Sequence, residues 1–195
     1  MTHIDRGWIA ITVPLLMCSF SSAVAGNDQT DWSVTAFGGP WTQRIVSEIV
    51  IDGNYDVSGG LIGVAVDRHL ARLGWGFSLA GEGVLTQNFD GPVFTTVGAG
   101  LGLRFDSIAG HIPISVAAYT GPSYAFHPPV EQYNTDRRQH PFLNYVAVEL
   151  AIGIPRHENH WDAVLRIFHR SGAWGLYSPN ADEGSTVGVG LRAKF

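Results

Sequence analysis

Trp161-Asp162-Ala163-Val164-Leu165-Arg166-Ile167-Phe168-His169-Arg170-Ser171 is the stretch on which the fold turns. Its odd positions are Trp161, Ala163, Leu165, Ile167, His169 and Ser171; its even ones are Asp162, Val164, Arg166, Phe168 and Arg170. Successive side chains of a strand point to opposite faces, so one face here is free of charge through its middle and the other carries isolated charges. The next segment repeats the pattern, with Glu183, Ser185, Val187, Val189, Leu191, Ala193 and Phe195 against Gly184, Thr186, Gly188, Gly190, Arg192 and Lys194. Upstream, Val146, Val148, Leu150 and Ile152 oppose Tyr145, Ala147, Glu149 and Ala151. Further back, Val93, Val97, Leu101 and Leu103 oppose Gly98, Gly100, Gly102 and Arg104.

Extended along the chain, the alternation predicts eight strands, near 31–39, 58–67, 74–86, 93–105, 112–123, 143–154, 161–171 and 183–195. Connections near 68–73, 106–111 and 155–160 are short, those near 40–57, 124–142 and 172–182 are long, and 87–92 breaks the alternation. An even number of antiparallel strands with short turns at one end and longer loops at the other is the pattern of an outer-membrane barrel. The 24 glycines among 195 residues argue against a helix bundle, since each interior glycine costs a helix about 1 kcal/mol relative to alanine.

Two barrels can use such strands. A soluble lipocalin-like barrel turns its apolar face inward, and a membrane barrel turns it out. The second face here is glycine and alanine with isolated Glu82, Arg104, Glu149 and Arg166, which suits a narrow lumen better than a solvated exterior. Trp32, Trp75 and Trp161 open strands one, three and seven on the uncharged face, a candidate aromatic girdle at one end; the alternative is ordinary core tryptophans. These features predict an all-β, eight-stranded antiparallel transmembrane barrel.

Residues 1–25 read as a cleavable signal peptide: a short head with Arg6, an apolar run from Gly7 to about Phe20, and Ala23-Val24-Ala25 before Gly26. Met17 is larger than the residue a lipoprotein signal carries before its cysteine, which argues against lipidation at Cys18. Cys18 is the one cysteine, so the barrel domain of residues 26–195 has no disulfide framework. A formal net charge of −5 leaves no basic footprint for nucleic acid.

With both termini on the periplasmic side, strand seven carries His169 and Ser171 to the extracellular rim on the uncharged face. Glu183 shares their parity across the hairpin, within reach of the imidazole by cross-strand spacing. A serine nucleophile needs a base, and the base needs an acid to hold its tautomer. Ser171, His169 and Glu183 fill those roles; Asp182 is the rival acid, with the wrong parity if the pleat extends that far. Trp174 and Tyr177 stand nearby as aromatics able to grip acyl chains or sugar.

Ile167-Phe168-His169-Arg170-Ser171-Gly172-Ala173-Trp174-Gly175, followed by Asp182-Glu183-Gly184-Ser185 and a closing strand, resembles the C-terminal signature of the lipid A 3-O-deacylase (PagL-type) family. The motif covers about the last thirty residues, while strand pattern and export signal agree along the whole predicted mature chain. The resemblance implies an outer-membrane esterase acting on lipid A of lipopolysaccharide, with Ser171 as nucleophile, His169 as base, Glu183 as acid and no cofactor. It implies outer-membrane lipids as surroundings and leaves the oligomeric state open, a homodimer included. Where the family typically has asparagine after the serine, this chain has Gly172, so oxyanion donors would be backbone N–H groups near Gly172 and Ala173, or the side chain of Asn180.

Other clusters read as loop chemistry. His157-Glu158-Asn159-His160 is not a helical metal motif and falls in a turn, so no metal site is expected. His127 and His140 flank a polar loop holding Asp136, Arg137 and Arg138, which reads as a solvated loop; the functional alternative is that Arg137 and Arg138 touch lipopolysaccharide phosphates. A non-catalytic barrel with a structural or loop-binding role is the second functional hypothesis; Gly172 favours it, and the shared parity of His169, Ser171 and Glu183 favours the enzyme.

Overall fold

Period-two alternation becomes eight strands: β1 (Trp32–Thr42), β2 (Gly59–Gly74), β3 (Phe77–Phe89), β4 (Thr95–Asp106), β5 (Ile114–Phe126), β6 (Phe142–Gly153), β7 (Trp161–Ser171) and β8 (Asp182–Lys194). Each pairs antiparallel with its neighbours, and β8 returns to β1 to close the barrel. The computed structural model describes residues 32–44, 49, 51, 53, 55–106, 113–128, 139–154, 160–173, 175–178 and 182–195, with the backbone alone at 182 and 183. The expected leader over 1–25 lies outside the described residues, as do Asp136, Arg137, Arg138, His157, Glu158, Asn159, Trp174 and Asn180. Closure reaches the end of the chain, where Phe195 donates its N–H to the Trp32 carbonyl at 2.9 Å.

The second strand departs most from the sequence expectation. The stretch 68–73, expected as a turn, continues β2, and the turn is reduced to Trp75-Gly76. Register shifts between His69 and Ala71 and between Arg72 and Gly74 break the alternation there, which hides the strand from a period-two reading. Trp75 consequently sits at the hairpin tip with φ 53° instead of opening β3. It remains at the same end as Trp32 and Trp161, and all three are exposed.

Leu165 is 45% exposed and Val189 70%, which places the uncharged face outside and rules out the lipocalin-like orientation. Val64, Val97, Leu101, Leu103, Val148, Ile152 and Leu191 extend the outer apolar belt. The inside is polar and charged, as the small-residue face predicts. It also holds large aromatics, Phe37, Trp41, Tyr119, Tyr145 and Phe168, all buried. Trp41 falls within the stretch expected as a loop; it lies in β1 with its side chain inside.

The glycine run of β4 explains how these rings fit. A Cβ at Gly98 would lie 3.0 Å from the Tyr145 ring, and one at Gly100 would lie 2.7 Å from its hydroxyl. At Gly102 a Cβ would collide with the Tyr119 ring. The lumen is thus filled by large residues of β5 and β6 set against bare backbone of β4, the large-to-small complementarity of a close-packed interior. Gly102→Val is expected to destabilise the barrel by about 1–3 kcal/mol through overpacking, read as a lower midpoint in urea titration of the folded band on unheated gels.

Charges inside are paired. Arg166 Nη2 donates to both carboxylate oxygens of Glu82 at 2.7 and 2.8 Å, and Nη1 donates to Glu149 at 3.0 Å. Arg192 joins Glu149 to Asp162, which also holds Lys194 at 2.9 Å. Arg104 binds Asp67 and the Tyr119 hydroxyl, each at 2.8 Å, and Ser33 donates to the same aspartate. Buried ions of opposite sign need such partners because desolvation costs several kcal/mol per ion.

At the seam the β1–β8 pairing is interrupted between Gly38↔Val189 and Trp41↔Thr186. Pro40 has no N–H to offer there. Tyr55, from the β1–β2 connection, bridges the gap: its hydroxyl donates to the Pro40 carbonyl at 2.7 Å and accepts from the Val187 N–H at 3.4 Å. Burial raises the Tyr55 pKa, partly offset by the Val187 N–H, so the phenol keeps the proton it donates.

Candidate active site

β7 ends on His169 and Ser171, both half-buried and both on the outward parity of Leu165. Each has a neighbour on either side. His169 is paired with Val146 of β6 and Ser185 of β8; Ser171 is paired with Asn144 and Asp182. Two residues of strand rise separate histidine from serine, and the serine is the one nearer the rim.

The hairpin pairing is not the one expected from parity. Arg170 pairs with Gly184 and Ser171 with Asp182, a one-residue shift that leaves Glu183 as the extra residue of a bulge. The expectation that Asp182 has the wrong parity assumed an unbroken pleat; the bulge sets Asp182 opposite Ser171 in register. Gly184 makes this possible. Its φ of +116° is a conformation side chains rarely adopt, and a Cβ there would also lie 3.1 Å from the Trp41 ring.

Around the imidazole, Nδ1 of His169 lies 3.0 Å from the Gly184 carbonyl oxygen and 3.0 Å from Ser185 Oγ. Ser185 is itself buried and donates its hydroxyl to the Arg44 carbonyl at 2.9 Å. On the other flank, the Asn144 amide donates to Thr120 Oγ1 at 3.0 Å and to the Tyr145 carbonyl at 3.1 Å, a polar row crossing the strands toward Ser171. The Ser171 hydroxyl makes no hydrogen bond among the described residues, an arrangement common before substrate arrives.

Beyond Ser171 the chain curls tightly. The Gly172 carbonyl accepts from the N–H groups of Gly175 at 3.2 Å and Tyr177 at 3.0 Å, and Ala173 is left-handed at φ 49°. The N–H groups of Gly172 and Ala173 donate to no described residue, and a left-handed residue in a turn is the backbone setting of an anion-binding nest. The curl is fastened to the start of β6 and to the connection before it: the Tyr177 ring packs on Phe142 at 5.3 Å, and Ser178 Oγ is 2.8 Å from His140 Nδ1.

Sequence reasoning missed Ser185, Gly184 and Asn144. A parity argument carried from His169 to its neighbour on β8 points to Ser185; the bulge that turns the Gly184 carbonyl toward the ring leaves no mark in the alternation.

No protein-family model matches the chain, and neither does any curated protein. Among solved structures, the barrel is similar to a crystal structure of the outer membrane enzyme PagL, with a TM-score of 0.60 and 14% sequence identity, covering 84% of this chain and 99% of that one. At that identity the likeness is one of fold: this chain is a closed eight-stranded antiparallel barrel built like that of an outer-membrane enzyme.

Proposed function

We propose that the protein is exported, spans the bacterial outer membrane, and hydrolyses an ester-linked acyl chain of lipid A in the outer leaflet. The observation that carries this reading is an imidazole fastened at Nδ1 two residues before a serine on the same strand face, the outward one of the barrel. A lipid ester meets that face without entering the packed lumen. Ser171 attacks the ester carbonyl while His169 takes its proton; the N–H groups of Gly172 and Ala173 receive the oxyanion, in place of the asparagine side chain this chain lacks. Collapse expels the sugar hydroxyl, protonated by His169, and leaves an acyl-serine. Water, activated by the same histidine, then releases the fatty acid and restores Ser171. A carboxylate at the bulge, Glu183 with Asp182 as its rival, stabilises the imidazolium. The steps need no cofactor.

The test is mass spectrometry of lipid A from cells with and without the protein. Loss of one ester-linked hydroxyacyl chain is expected with the protein; identical spectra, with the protein folded by heat-modifiable mobility, overturn the esterase and leave a structural barrel.

A further inference from the structure

The bonds at His169 fix more than its position. A carbonyl oxygen accepts and never donates, so the contact between Nδ1 and the Gly184 carbonyl requires the proton to sit on Nδ1. The second contact agrees independently. The Ser185 hydroxyl spends its one proton on the Arg44 carbonyl at 2.9 Å, so toward the ring it presents lone pairs only. Both partners of Nδ1 among the described residues are therefore acceptors, and the neutral ring carries its lone pair on Nε2, the nitrogen a general base uses when the other is held by an orienting group.

We infer that Ser185 is the positioning residue of the site: it locks His169 in the Nδ1–H tautomer, with the Gly184 carbonyl as its backbone partner. The inference rests on the esterase reading for its catalytic consequence and on hydrogen bonding alone for the tautomer. It divides the work of the usual third member of a triad. Orientation of the ring falls to a buried hydroxyl, and the carboxylate at the bulge is left with charge stabilisation. It also ties the site to the β1–β2 connection, since the hydroxyl is aimed by the Arg44 carbonyl, and the Arg44 guanidinium is paired with Asp56 at 2.9 Å on the same segment.

The test combines nitrogen NMR with kinetics on folded protein in detergent micelles. Histidine-labelled wild type and Ser171→Ala should both show His169 protonated at Nδ1. An Nε2-protonated ring in the wild type overturns the inference whatever the activity. Against lipid A, Ser185→Ala should lower kcat about tenfold with KM unchanged and normal heat-modifiable mobility, and Ser185→Thr, which keeps the hydroxyl, should recover most of that loss. Wild-type kcat in Ser185→Ala overturns the positioning role. If the ring is protonated at Nδ1 but wild type and Ser171→Ala both release no acyl chain, the tautomer assignment stands and it is the esterase that fails.

Discussion

Ser171→Ala is expected to lower acyl-chain release by a factor on the order of 10³ or more while leaving the barrel folded. The separation follows from the position of the hydroxyl. It makes no hydrogen bond among the described residues, so its removal strands no buried donor or acceptor and costs little stability. Chemistry loses its attacking atom. His169→Ala is expected to cost a similar factor, and the double variant little more than either alone, because nucleophile and base act as a unit. Fatty-acid release from lipid A measured by mass spectrometry, beside the mobility of heated and unheated samples, checks both halves. Full activity in Ser171→Ala would remove the serine mechanism.

Arg166→Met is expected to be the most destabilising single change in the lumen, by about 3–5 kcal/mol. Its guanidinium is fully buried, with one nitrogen on both oxygens of Glu82 and the other on Glu149. The two carboxylates are not equally exposed to its loss. Glu149 keeps Arg192, whereas Glu82 is deprived of the guanidinium that neutralises it. Adding Glu82→Gln to Arg166→Met is therefore expected to recover much of the loss, since a neutral amide is far cheaper to bury than an unpaired carboxylate. Urea titrations of the three proteins in one detergent give the comparison; equal midpoints for the single and double variants would show that the charge of Glu82 is not the cause.

Much of the fold is legible in the sequence because an apolar outside and a packed, polar lumen impose opposite chemistry on alternate residues. Leu165 and Val189 could be set outside, and Glu82, Arg104, Glu149 and Arg166 inside, from parity alone. What parity cannot carry is any place where the pleat breaks. Alternation ends β2 at its bulges and places Trp41 in a loop, and the pairing of Ser171 with Asp182 requires a bulge at Glu183 that depends on a positive φ at Gly184. The candidate site shows the same division. His169 and Ser171 were visible as neighbours on one face, because they are two residues apart on one strand. Their supporting cast was not, because Ser185 and Gly184 meet the ring only through hairpin register, and register is set by loop geometry that composition does not encode.

The ion pairs of the lumen bear on how such a barrel is made. Glu82 stands on β3 and Arg166 on β7, and Asp67 on β2 meets Arg104 on β4. None of these couples belongs to adjacent strands, so no single hairpin satisfies them. Glu82 and Arg166 face each other across the whole barrel, so a sheet that has not yet curled round leaves this couple apart, and the joining of first strand to last brings the two together. Circularisation is thereby coupled to the neutralisation of Glu82, and electrostatics penalises a sheet that stays open.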